Sequence, residues 1–149
     1  MQRLGFFCLF LSQMTLSVSA ETLPGPIPAE ILRVVDGDTV QVRAHIWVGQ
    51  SVEIMVRVAD IDAPEVKRPQ CSAESRLAKE ATEATRAFLG DVVFLRNVHN
   101  GKYAGRVVAE LHHRTRGRLS HHLLTHGLAI EDGEDDPWCA VNADRGASK

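Results

Sequence analysis

Apolar and polar residues alternate over short stretches in the first half of the chain, as they do in half-buried β-strands. The alternation predicts one strand over residues 31–35 and a second over 39–43, with Asp36-Gly37 between them as a tight turn. A third strand is predicted over 52–61. It ends before Pro64, because proline cannot donate a hydrogen bond to a neighbouring strand.

The second half of the chain combines helical spacing with a second hairpin. Ser72 is a candidate N-cap, and apolar residues follow it at helical spacing until Gly90. They are Leu77, Ala81, Ala84 and Phe88. Residues 92–98 and 106–111 predict two more strands, and 119–126 predict a short helix with Leu123 and Leu124 facing inward. The order of three strands, helix, two strands and helix is typical of a small, β-rich α+β domain.

The first twenty residues have the features of an export signal. Arg3 precedes an apolar run over 4–11, and small residues around Ala20 suit cleavage by a signal peptidase. The run is too short to span a bilayer. We therefore expect a periplasmic or secreted protein that acts as a monomer and has no membrane contact in its mature form. The expected organisation is a signal peptide (1–20), an extended arm (21–30), one folded domain (31–140) and a tail (141–149).

Loss of the signal would leave two of the three cysteines, Cys71 and Cys139. A single disulfide between them is the simplest interpretation in an oxidising compartment, and two free thiols are the alternative.

Charge does not predict a nucleic-acid partner. The chain has 17 lysines and arginines against 19 aspartates and glutamates, and residues 131–136 are strongly acidic, whereas proteins that bind nucleic acid usually present a basic surface. Seven histidines, with His122 and His126 four apart on a predicted helix, raise a zinc-binding alternative. Zinc sites usually need three or four ligands, however, and the disulfide would use both cysteines.

Three segments carry residues suited to phosphodiester chemistry. They are Val35-Asp36-Gly37-Asp38-Thr39-Val40, residues 57–65 (Arg-Val-Ala-Asp-Ile-Asp-Ala-Pro-Glu) and Lys102-Tyr103-Ala104-Gly105-Arg106. Clustered carboxylates suit a hard divalent cation, and arginine forks suit a phosphorane dianion. In this order and spacing the segments resemble the thermonuclease (staphylococcal-nuclease-like) family, from about Ile31 to Cys139.

The resemblance implies an OB-fold, a five-stranded barrel with two or three helices. It also implies calcium ligands, namely the side chains of Asp38 and Asp62 and the backbone carbonyl of Ala63. It gives Glu65 the role of orienting or deprotonating the attacking water, and Arg57 and Arg106 the role of phosphate clamps. Lys102 and Tyr103 match positions that contact the phosphate of the nucleotide. Asp36 is one of the clustered carboxylates, but its place in the Asp36-Gly37 turn explains it equally well without any role in the chemistry.

One geometric condition and two departures accompany the resemblance. Arg57 and Asp62 are five apart, so a regular strand would point them to opposite faces, and a bulge or an early strand end is required. Asp60 adds an acid where many relatives have glycine or an apolar residue. Gly127-Leu128-Ala129 leads into the acidic stretch 131–136, where relatives usually have a nucleotide-contacting tyrosine.

These observations predict an exported, calcium-dependent nuclease that hydrolyses DNA, RNA or both with little sequence preference. The alternative is a non-catalytic binding module on the same fold, which engages a protein or nucleic-acid partner.

Overall fold

The computed structural model describes residues 21–140, so the predicted signal peptide and tail lie outside the described part of the chain. The elements are β1 (Ile27–Val34), β2 (Thr39–Trp47), β3 (Gln50–Val58), β4 (Ile61–Asp62), α1 (Ser72–Leu89), β5 (Val92–Asn100), β6 (Arg106–His113), β7 (Gly117–Arg118), α2 (Leu119–Thr125) and β8 (Ile130–Glu131).

Five of the strands form a closed barrel of mixed sheet. β1 pairs with β2 on one side and β5 on the other, β2 pairs with β3, and β5 pairs with β6, all antiparallel. A parallel pairing of residues 55–58 with 106–109 joins β3 to β6 and closes the barrel. With its two helices this is an OB-fold-like α+β domain, as the resemblance implied.

Branched aliphatic side chains fill the barrel because alternate residues of each strand point inward. Fully buried examples are Val40, Val42, Val56, Leu95 and Leu111. The helices add Phe88 and Leu89 from α1 and Leu119 and Leu123 from α2 to the same core. Within residues 21–140, no helix is long and apolar enough to cross a membrane.

Several strand boundaries differ from those predicted, and two of these differences have a clear structural reason. β1 begins at Ile27, inside the predicted arm, since Ala29 is fully buried in the core. The prolines of the arm had hidden the alternation. β3 ends at Val58 rather than at residue 61, because Asp60 takes a positive φ of 68° that reverses the chain before β4.

Cys71 and Cys139 form a disulfide, as predicted, with their Cα atoms 5.9 Å apart. The bond joins the start of α1 to the end of the described domain and so fixes the segment between β4 and α1 at its C-terminal end.

Candidate active site

The turn between β1 and β2 presses one acid into the protein. A Cβ added to Gly37 would lie 2.7 Å from the Cβ of Ala63 and 2.9 Å from that of Ala81 on α1, so only glycine allows this approach. The hydroxyl of Thr85 also donates to the Gly37 carbonyl at 2.7 Å. The next residue, Asp38, is consequently 3% exposed.

Both carboxylate oxygens of Asp38 accept hydrogen bonds. Its Oδ1 accepts from the Thr39 hydroxyl at 2.9 Å and from Nη1 of Arg57 at 2.6 Å, and its Oδ2 accepts from the Ala63 N–H at 2.7 Å. A buried carboxylate needs such partners, because burial without them costs several kcal/mol.

Arg57 connects the two predicted metal-ligating acids. Its Nη1 contacts Asp38, and its Nη2 contacts the Asp62 carboxylate and donates to the Ile61 carbonyl at 3.2 Å. The early end of β3 supplies the required geometry, because the turn at Asp60 brings Asp62 round to the same side as Arg57. The two carboxylates therefore converge on one position that already holds positive charge.

Arg57 and Asp62 line an open cleft of about 380 Å³. The other polar side chains on its wall are Asp60, Lys102, Tyr103, Arg106 and Asp132. Lys102 and Tyr103 lie in the short loop between β5 and β6, which a hydrogen bond from the Gly101 N–H to the Arg106 carbonyl (3.0 Å) keeps compact. The structure thus brings both predicted arginines and both predicted nucleotide-contacting residues to one cleft.

Within the described part of the chain, the Nε of Arg106 is free to donate a hydrogen bond to a group from outside the protein. Its buried Nε has no hydrogen-bond acceptor among the described residues. Its guanidinium carbon lies 5.2 Å from the ring centroid of Tyr103, which is 68% exposed. Because a buried donor without an acceptor is unfavourable, the arrangement suits an anion that enters the cleft.

Glu65 is not among the residues that line the cleft. It follows Asp62 by three positions, is exposed, and accepts a hydrogen bond from the Lys67 N–H at 2.8 Å. Its own N–H donates to Oε1 of Glu74 at 3.0 Å. Sequence reasoning placed Glu74 only in the first turn of the helix, and missed this contact with the segment that carries Glu65.

Asp36 lies behind Asp38. Its Oδ1 accepts from the Asp38 N–H at 3.2 Å, which is the turn role considered from the sequence. Burial and then the negative charge of Asp38 raise the pKa of Asp36 from 3.8 to about 6. The crowding of negative charge behind the cleft is thus relieved by a proton on Asp36 as the pH falls to about 6.

The acidic stretch reaches the cleft through β8. β8 pairs with β4, matching Ile61 with Glu131, and the Asp132 N–H donates to the Asp60 carbonyl at 3.1 Å. Asp132 and Asp60 therefore both lie on the wall of the cleft, although the Asp60 carboxylate also pairs with Arg118 at 3.0 Å. Glu134, Asp135 and Asp136 are not among the residues that line the cleft.

The oxygen donors suit calcium by their chemistry. Two carboxylates and a backbone carbonyl are hard ligands, and Asp38 and Asp62 already face one cationic group.

Residues 21–140 contain no cluster of three or more histidine, cysteine, aspartate or glutamate side chains arranged as metal ligands. His122, which was considered for zinc binding together with His126, stacks on Phe88 with ring centroids 4.7 Å apart. The ring centroids of His122 and His126 are 4.3 Å apart.

Comparison with known proteins agrees with this architecture. A model of the family described as "Staphylococcal nuclease homologue" matches residues 55–139, which contain Arg57, Asp62, Glu65 and Arg106. A search of curated proteins found no match. Because the family match covers more than half of the chain, the protein belongs to the staphylococcal nuclease homologue family.

Proposed function

We propose that the protein is a calcium-dependent nuclease that hydrolyses phosphodiester bonds in DNA, RNA or both. The observation that carries this proposal is the convergence of Arg57, Arg106 and Asp62 on one cleft within the part of the chain that matches the nuclease family. Asp38 adds a second carboxylate to the same cluster through Arg57.

The two arginines would stabilise the charge that develops at phosphorus. Attack of water produces a phosphorane with more negative charge than the ground-state diester, and planar guanidinium groups can each donate two hydrogen bonds to it. The two reach the cleft from neighbouring parallel strands, β3 and β6. Arg106 offers an Nε without an acceptor among the described residues.

Asp38, Asp62 and the Ala63 carbonyl would hold the calcium ion. When bound, such an ion polarises a phosphate oxygen and helps to place the attacking water. Glu65 would take the proton of that water, since it is exposed and its carboxylate accepts one protein hydrogen bond, from Lys67. Lys102 and Tyr103 would contact the phosphate groups of the substrate from the β5–β6 loop.

We also propose that the protein works as a monomer outside the cytoplasm, in the periplasm or after secretion. The predicted signal at residues 1–20 is the sequence argument. The Cys71–Cys139 disulfide supports it, because such bonds persist mainly in oxidising compartments.

The decisive experiment measures cleavage of single-stranded DNA and RNA by the purified protein, with calcium and with a chelator. We expect cleavage that calcium supports and the chelator abolishes. Asp38→Asn, Asp62→Asn and Glu65→Gln should each lower turnover by at least about a hundredfold, while Glu80→Gln, an exposed substitution of the same kind on α1, should not. Undiminished cleavage in chelator, or normal turnover of Glu65→Gln, would contradict the mechanism.

A binding module without catalysis is the second candidate. The acids Asp60 and Asp132 on the cleft wall favour it, because they oppose the entry of a polyanion. Binding of nucleic acid or protein without cleavage in the presence of calcium would favour this alternative.

A further inference from the structure

A buried glutamate, Glu74, accepts a hydrogen bond from the backbone of Glu65, the predicted general base. Glu74, in the first turn of α1, is only 2% exposed. Its carboxylate forms no ion pair with any residue in the range 21–140; instead it accepts from two backbone N–H groups. Oε1 accepts from Glu65 at 3.0 Å and Oε2 from Gln70 at 2.5 Å. One carboxylate therefore accepts a hydrogen bond from each end of the exposed loop 65–70.

Glu74 differs from an ordinary helix-capping glutamate. Such a residue, three positions into the helix, reaches back to the N–H of the N-cap. Here the N-cap is Cys71, whose sulfur accepts from the Glu74 N–H at 3.4 Å and is fixed by the disulfide. The Glu74 carboxylate instead accepts from residues that precede the N-cap, so its hydrogen bonds stabilise the loop rather than the first turn of the helix.

The segment that carries Glu65 is fixed on two sides. The Ala63 N–H donates to Asp38 at 2.7 Å, and the Glu65 N–H donates to Glu74. Between them stands Pro64, which is buried and whose φ is restricted by its ring. The backbone of Glu65 is thus tied to a predicted metal ligand through Ala63 and to α1 through Glu74.

We propose that Glu74 is a positioning residue for Glu65, and that it fixes the backbone from which the Glu65 carboxylate reaches the attacking water. This inference rests on the proposed nuclease function. Glu74 has no part in the reaction itself, since its two oxygens are occupied by the loop. Its contribution is to limit where the general base can lie, and displacement of such a group by about 1 Å can cost about a hundredfold in rate.

Glu74→Gln is the informative substitution. Glutamine has one side-chain oxygen, so it can accept from only one of the two N–H groups, and its own NH₂ would face the other donor. We expect kcat to fall by about 10- to 100-fold, as for other supporting residues of catalytic groups, with KM changed by less than about threefold. Amide hydrogen exchange at Glu65 or Gln70 should become faster in the variant.

A double-mutant cycle separates positioning from general damage. If Glu74 acts through Glu65, then Glu74→Gln should cause less than about a twofold further loss when it is added to the Glu65→Gln variant. Ala78→Gly, a buried site one turn along α1, should destabilise the same helix while leaving kcat unchanged. Should Glu74→Gln fail to fold, Glu74→Asp, which keeps the charge but is too short to span the loop, takes its place.

The outcomes distinguish this inference from the function on which it rests. An active wild-type protein with a fully active Glu74→Gln variant would refute only the positioning role. So would an equal loss of kcat in the wild-type and Glu65→Gln backgrounds, since that indicates a general structural defect. A wild-type protein that cleaves neither DNA nor RNA with calcium would refute the proposed function, and the positioning role with it.

Discussion

Replacement of Arg57 by glutamine tests whether this arginine and calcium occupy the same electrostatic position. Arg57 neutralises the Asp38 carboxylate, whose side chain is 4% exposed, and also contacts Asp62, whose side chain is 42% exposed. The variant would leave Asp38 with the Thr39 hydroxyl and the Ala63 N–H but no cation. Its buried charge would then be compensated only by neutral donors.

The magnitude follows from the burial of the two partners. Removal of one member of a buried ion pair costs about 3–5 kcal/mol. Arg57 itself is 24% exposed, so solvent can partly replace it, and we expect a loss nearer 2 kcal/mol. For a domain of this size that corresponds to a decrease in Tm of roughly 8 °C without calcium.

Calcium should recover most of this loss. With the guanidinium gone, the carboxylates lose a competing positive charge a few ångströms away, and calcium should bind at least about tenfold more tightly. The increase in Tm across a calcium series should therefore be larger for Arg57→Gln than for the wild type.

The assay combines calorimetric calcium titration with thermal unfolding, and Arg57→Lys is the matched control because it keeps the charge. We expect Arg57→Lys to resemble the wild type in calcium affinity but to lose turnover, since lysine lacks the bidentate fork. Equal calcium affinity in all three proteins would refute the idea that Arg57 acts as the internal counter-cation of the site.

Three further predictions concern other parts of the molecule. Replacement of both cysteines by serine should cost about 4 kcal/mol, because the Cys71–Cys139 bond closes a separation of 68 residues; two alkylatable thiols in the native protein would contradict the pairing. Asp132→Asn should tighten nucleic-acid binding at low salt more than Asp135→Asn, since only the first lines the cleft; equal effects would show that position does not matter. Burial, His126 and Arg116 lower the pKa of His122, so the stability this residue contributes is complete above pH 6.5 and is lost as the pH falls below it. Unfolding of His122→Gln should accordingly depend less on pH between about 5 and 7, and an unchanged slope would contradict this.

The order of the elements could be predicted because it depends on local periodicity. Alternation gave the hairpins, and the three- to four-residue spacing gave α1, whose Ala81 and Phe88 are buried as expected. The meeting of Arg57 with Asp62 could be stated only as a condition, since it depends on one backbone angle at Asp60. Aspartate tolerates positive φ better than most residues, but its sequence neighbours do not force that conformation.

Contacts between distant segments could not be predicted in the same way. Asp132 reaches the cleft because the two-residue strands β4 and β8 pair, and strands of that length leave almost no periodic signal. Glu74 looked like a favourable acid in the first turn of a helix, which it is. Its reach to Glu65 depends on how the loop folds back over α1, which no local pattern records.

The charge of the cleft connects these observations. Its wall carries three cations, Arg57, Lys102 and Arg106, and three anions, Asp60, Asp62 and Asp132. Asp38 behind the wall already uses part of Arg57. By itself the cleft therefore offers little net attraction to a polyanion, and the chain as a whole has a formal net charge of −2. A bound divalent cation would both give the cleft a net positive charge and release Arg57 from its two carboxylates. On this reasoning calcium should strengthen substrate binding as well as support turnover, and the two effects should share one calcium dependence, because both arise at the Asp38–Asp62 pair.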